Sequence, residues 1–106
     1  MATGILGSND LTATTNTTVY TVPEDTFSVV TVNVTNRNSQ ARSIRVATAA
    51  DDNPTNAEWI EFDTEILGNG VLERSGIVLD EGKKIVAYSN STDVNIVVYG
   101  IETRTN

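Results

Sequence analysis

The sequence contains no cysteine and no histidine among its 106 residues. Their absence excludes disulfides, thiolate nucleophiles, the usual zinc sites and Ser-His-Asp hydrolysis. Small secreted domains often carry disulfides, so a chain without them is expected to assemble in the cytosol. Cations are scarce too: seven Lys and Arg face fourteen Asp and Glu, for a net charge of −7 and a pI near 4.3. Nucleic-acid binding and adsorption to anionic membranes both need clustered Lys and Arg, so neither partner is expected. No apolar run approaches the ~18 residues of a membrane helix. The opening "MATGILGSND" has neither a basic n-region nor a long apolar stretch, and is not expected to act as a signal peptide. No internal repeat or low-complexity tract is visible.

What is present favours strands. Val (13) and Thr (16) dominate the composition, and β-branched side chains suit a pleated, half-buried surface. Leu, Ile, Val and Phe make up 28 residues, above the roughly 20% below which disorder becomes the default. One domain is expected from the length, with residues 1–16 as an extended or loosely paired N-terminal arm and 17–106 as the folded body.

From Thr17 the period-two pattern begins. Pro23 withdraws a backbone donor and ends the first run, and Pro23-Glu24-Asp25-Thr26 makes a turn. Between Phe27 and Thr35, Val30, Val32 and Val34 point one way while Phe27, Val29, Thr31 and Asn33 point the other. Asn36 to Gln40 is a polar turn. Ile44 and Val46 then face inward and Arg45 outward. Asn53-Pro54 is the one site for a helical turn, with Asn53 as its cap. In "EWIEFDTEI", Ile60 and Phe62 are expected on one face, with Trp59, Glu61 and Asp63 on the other. Asn69-Gly70 is the strongest hairpin signal, Gly76 marks a bulge, and Glu81-Gly82 is the next turn. Seven or eight short strands with turns about every 8–12 residues predict an all-β antiparallel sandwich, immunoglobulin-like or jelly-roll.

Several constellations invite a chemical reading. Glu61 and Asp63 on one strand face would be spaced for glycosidic acid–base work, which needs ~5–9 Å between carboxylates; a solvated outer face is the preferred reading. Asp51-Asp52-Asn53 and Asp80-Glu81 offer oxygen ligands for Ca²⁺, but lack a spaced, glycine-containing loop and read better as turns. No catalytic residue, cofactor or metal site is therefore expected. Sequons at Asn16, Asn33 and Asn90 fit chance in an Asn- and Thr-rich chain. Trp59, with Tyr20, Tyr88 and Tyr99, raises carbohydrate binding, since sugars stack on exposed rings; packing under a loop or at a subunit contact is preferred. The anomaly lies in the last strand, where Val94, Ile96 and Val98 back onto Val97, Tyr99 and Ile101. "KKIVAYS" repeats it, with Ile85 and Ala87 opposite Val86 and Tyr88. A strand with one wet face should alternate. Either a subunit interface or the N-terminal arm covers the second face, and an interface is favoured. The expected interface residues are Ile5, Leu6 and Leu11 of the arm, Phe27 and Val29, Trp59, and Val97, Tyr99 and Ile101.

The stretches "VYTVPEDTFSVVTVNVTNRN", "IRVATAADDNPTNAEWIEFDTEI" and "NGVLERSGIVLDEGKKIVAYSNSTDVNIVVYGIE" together resemble small virion structural proteins of tailed phages, cyanophages in particular. The resemblance spans about residues 17–102 and rests on strand and turn patterns. It implies a β-sandwich used as a capsid decoration or cement protein, assembled in the host cytoplasm onto the virion. Sister subunits, in a homotrimer or other homo-oligomer, and the major capsid protein or another virion protein would be its partners. A tail fibre, baseplate or adaptor part is the alternative within that class, and a carbohydrate-binding module the alternative outside it. The polar elements Asn36-Arg37-Asn38 and Glu73-Arg74 are expected to be structural, with Arg74 paired to Glu61 or Glu73.

Overall fold

The computed structural model describes residues 3–105, and among them eight strands and no helix form. They are β1 (Thr3–Asp10), β2 (Thr17–Thr21), β3 (Thr26–Asn36), β4 (Arg42–Ala49), β5 (Trp59–Ile66), β6 (Val71–Leu79), β7 (Lys84–Ser89) and β8 (Val94–Arg104). A front sheet runs β1-β8-β3-β6 and a back sheet β2-β7-β4-β5. All pairs are antiparallel.

The pairing has a simple logic. β1 pairs with β8, β2 with β7, β3 with β6 and β4 with β5. The two halves of the chain thus form one long antiparallel ribbon. Rolling that ribbon brings β8 against β3 and β7 against β4. Of the two expected sandwich types this is the jelly roll.

Rolling also decides what the turns do. Every connection except β4–β5 passes from one sheet to the other. Pro23-Glu24-Asp25 is such a crossing, between β2 and β3. Asn69-Gly70, expected to close a hairpin, instead arches from β5 in the back sheet to β6 in the front one. Asn69 takes φ +58 there, and the Gly70 amide donates to the Leu67 carbonyl, so the turn is longer than a two-residue hairpin. The bulge expected at Gly76 is present: β6 shifts register against β3 between Val30 and Val32, and Gly76 takes φ +73.

The core lies between the sheets. Val30, Val32 and Val34 of β3 are buried, as the valine row predicts, and meet Ile44 and Val46 of β4, Ile85 of β7, and Ile96 and Val98 of β8. Each such side chain is worth about 1.5–3 kcal/mol on burial. One polar bolt crosses this core: the Tyr20 hydroxyl on β2 lies 2.6 Å from Ser28 Oγ on β3 and donates to Glu102 Oε2 on β8 at 2.6 Å.

Of the N-terminal segment, β1 runs extended and pairs with β8 from Thr3 to Asp10, with one bulge between Ile5 and Gly7. The bulge inserts Leu6, which turns inward and packs against the core. Leu11, expected at a partner interface, is a core residue only 3% exposed. The expected helical turn does not form either. Asn53 caps nothing; its amide donates to Asp51 Oδ1, while the Glu58 carboxylate accepts from the Ala50 and Thr55 amides. Two side-chain-braced turns use up the donors that a helix would have organised.

The Asn36-Arg37-Asn38 stretch is structural, as expected. Asn36 is wholly buried, and its Nδ2 donates to the carbonyls of Gln40 and Ile66. Arg37 pairs with Asp10 and Asn38 with Asp93.

Candidate functional site

Strand alternation in β3 and β8 puts a second row of apolar side chains on the outer face of the front sheet. Register aligns them: Val29 faces Ile101 on one side and Val78 on the other, while Ile5 faces Tyr99. Val78 and Ile5 are each 68% exposed, Ile101 48% and Phe27 36%. The result is an apolar band crossing all four strands. Polar groups sit at its margin. Tyr99 donates to Glu73 Oε2 at 2.8 Å, and that bond holds the phenol above its ordinary pKa.

Six of the nine expected interface residues, Ile5, Phe27, Val29, Val97, Tyr99 and Ile101, come together on this face. Leu6 and Leu11 do not, being turned into the core. Val78 belongs to the band as well, opposite Val29; the sequence pattern assigns no face in β6. β1 lies beside β8 in the plane of the sheet, not over its face. The described part of the arm therefore leaves the band uncovered, while β1 itself is an edge strand of the sheet.

Trp59 stands on the opposite side of the molecule. The outer face of the back sheet carries Ala47, Ala49 and Val86, all fully buried, and Trp59 packs against them. The loop between β4 and β5 reaches across the same face, where Thr18 and Lys84 hold Asp52. Trp59 therefore packs against the apolar patch of its own sheet. Yet the cluster extends further. β5 is irregular against β4, with register shifts on both sides of Val46. The shifts correct the expected phase: Ile60 packs inward, whereas Phe62 joins Trp59 outside, 54% exposed, with ring centroids 5.5 Å apart at 68°. The Arg45 guanidinium lies 4.1 Å from the Phe62 ring and 4.5 Å from the Tyr88 ring. It also donates to both oxygens of Asp63, at 2.6 and 3.3 Å, which raises the Arg45 pKa further.

The same irregularity separates the carboxylates once considered together. Asp63, at φ +52, pairs with Arg45 on the outer face. Glu61 pairs with Arg74 at 2.6 Å, clasping the back sheet to the front one at their open edge. Each acid has its own arginine, and the shared-face geometry that acid–base chemistry would need is not formed. Glu61 is the Arg74 partner, one of the two expected. Asp51 and Asp80 are engaged within turns, with Asn53 and Lys83 respectively. Among the described residues no three acidic side chains gather into a cation site.

Fold and surface together define a class: an antiparallel jelly-roll sandwich with the apolar patch on one outer face covered by its own chain and the apolar band on the other left open. In comparisons with known proteins, no family model, no curated protein and no solved structure matches the chain.

Proposed function

We propose that the chain is a non-enzymatic structural protein of a virion, a decoration or cement subunit that adheres to the head lattice and stabilises it. The observation that carries this reading is the open apolar band of the front sheet. An antiparallel sheet needs only one covered face to fold, so a second apolar face is surface for burial against another protein. The jelly-roll order, recurrent among viral capsid domains, and the resemblance to tailed-phage virion proteins support the same reading. Sister subunits and the major capsid protein are the surfaces the band meets. Adhesion then acts by mass action: a protein that binds only the assembled lattice stabilises it by RT ln(1 + [L]/Kd).

Gold-labelled antibodies against the chain, applied to purified particles, are expected to mark heads at many copies each. Label confined to tails would reassign the protein to a fibre, baseplate or adaptor. Particles without label would overturn the virion reading altogether.

A further inference from the structure

The aromatic cluster on the back sheet is more than the cover that the apolar residues beneath it require. Trp59 packs on Ala47, Ala49 and Val86. Phe62 beside it remains 54% exposed. It stands edge-on to Trp59, and the two rings with Asn56 line an open cleft of about 400 Å³. That volume falls at the lower end of the roughly 300–1,000 Å³ typical of small-ligand sites.

The polar groups beside the cleft are already oriented. The Asp63 carboxylate and the Arg45 guanidinium hold each other in a two-bond fork, and Arg45 is further fixed between the Phe62 and Tyr88 rings. Such a fork offers a planar row of acceptors and donors that need no reorganisation on binding. Asp63 keeps φ +52, a backbone conformation that non-glycine residues seldom adopt. Because Arg45 already occupies the cationic position over the rings, a second cation is not the ligand. The chain's charge of −7 also disfavours an anionic one.

We propose that the Trp59–Phe62 cleft is a binding site for a neutral sugar, with aromatic faces for the apolar side of a pyranose ring and Asn56, Arg45 and Asp63 for its hydroxyls. The site is on the sheet opposite the apolar band, so it remains accessible when the front sheet is docked. It stands independently of the virion reading. A shell-bound subunit carrying such a site would give a particle weak, many-copy adhesion to glycan surfaces, with avidity supplied by copy number.

The test is a titration of the ¹⁵N-labelled full chain with cellohexaose, maltohexaose, mannohexaose and galactohexaose, followed by amide and Trp59 indole shifts. Saturable shifts centred on residues 45, 56–63 and 88 with at least one of these sugars are expected. Phe62→Ala, at an exposed position, should weaken binding by about tenfold or more while leaving the remaining spectrum in place. Asp63→Asn should weaken it too, whereas Ile101→Ser on the front sheet should not. Absence of saturable shifts with all four sugars, shifts centred elsewhere, or full affinity in Phe62→Ala would each overturn the proposal.

Discussion

The two outer faces of this sandwich began with the same problem and reached opposite ends. β7 and β8 are both apolar on both sides, β7 through Val86 and Tyr88, β8 through Val97, Tyr99 and Ile101. On the back sheet the chain solves the problem internally. The β4–β5 loop crosses the face, Trp59 packs down, and Ala47, Ala49 and Val86 disappear from solvent. On the front sheet no described segment of the chain crosses over, and Val78, Ile101 and Ile5 stay exposed. A domain able to hide one such face has left the other open, and the open one is where the proposed partner would dock.

The comparison breaks most sharply at one pair of valines. Val86 and Val78 both point outward from their sheets, yet Val86 is fully buried and Val78 is 68% exposed. Val86→Asp would place an unpaired charge beneath the Trp59 cover and should cost about 3–5 kcal/mol, a large share of a stability of about 5–15 kcal/mol. Val78→Asp should change stability by less than about 0.5 kcal/mol. Urea titrations of the two variants check the contrast. Equal losses would mean that the front face is also covered in solution.

Next in size is the bolt between the sheets. Burial, chiefly, and then the bond to Glu102 push the Tyr20 hydroxyl up to about 12 from its ordinary 10.0, against an opposing pull from Ser28. A raised folded value stabilises the protonated, native form. Its contribution is therefore complete below about pH 10 and is lost as pH climbs through about 12. Tyr20→Phe should cost about 1–3 kcal/mol at neutral pH by removing the donor to Glu102. It should also remove the part of the alkaline destabilisation that this phenol supplies. Urea midpoints measured from pH 8 to pH 12 on both proteins would show the two curves converging as pH rises; curves that stay parallel would remove Tyr20 from the account.

How much of this contrast could be read from residues alone follows from which interactions are local. The valine row, the Gly76 bulge, the outward Arg45 and the apolar back of β8 are properties of single strands with period two, and all stand where the pattern puts them. The Asn69-Gly70 turn was legible as a turn but not as an arch, since its two flanking strands pair with β4 and β3, not with each other. Leu11 and Leu6 read as partner contacts on an extended or loosely paired arm because their burial depends on β1 reaching β8, some ninety residues away. Phe62 was phased wrongly by the β5 irregularity, which no glycine announces. That single slip hid the aromatic cleft, for it moved one ring to the wrong side of the sheet. Strand-level features were open to inspection; whatever depended on long-range register was not.

A smaller effect should come from the brace that keeps the back face covered. The Thr55 amide first, then the Ala50 amide, hold the Glu58 carboxylate below its usual range. A lowered folded value stabilises the charged form, so this contribution is present above about pH 4.5 and lost as pH falls through the folded value. Glu58→Gln should therefore loosen the loop without unfolding the domain. Hydrogen exchange is expected to quicken at Ala50 and Thr55, and Trp59 fluorescence to shift toward that of an exposed indole. The front-sheet amides should keep their wild-type rates, and quickening there as well would mean that the two faces are not independent.

The least effect on stability is expected from Ile101→Ser combined with Val78→Ser, and it decides the most. Both side chains are largely in water already, 48% and 68% exposed, so each removal should cost no more than about 0.5 kcal/mol. The fold stays, and only the band is made polar. If the band is the adhesive surface, the purified variant should lose whatever self-association sedimentation detects in the wild type, and the gold label should disappear from particles. A variant that folds normally and still decorates particles would show that the open face is not what holds the protein there. The comparison would then turn on the β1 edge, the other unsatisfied surface of the same sheet.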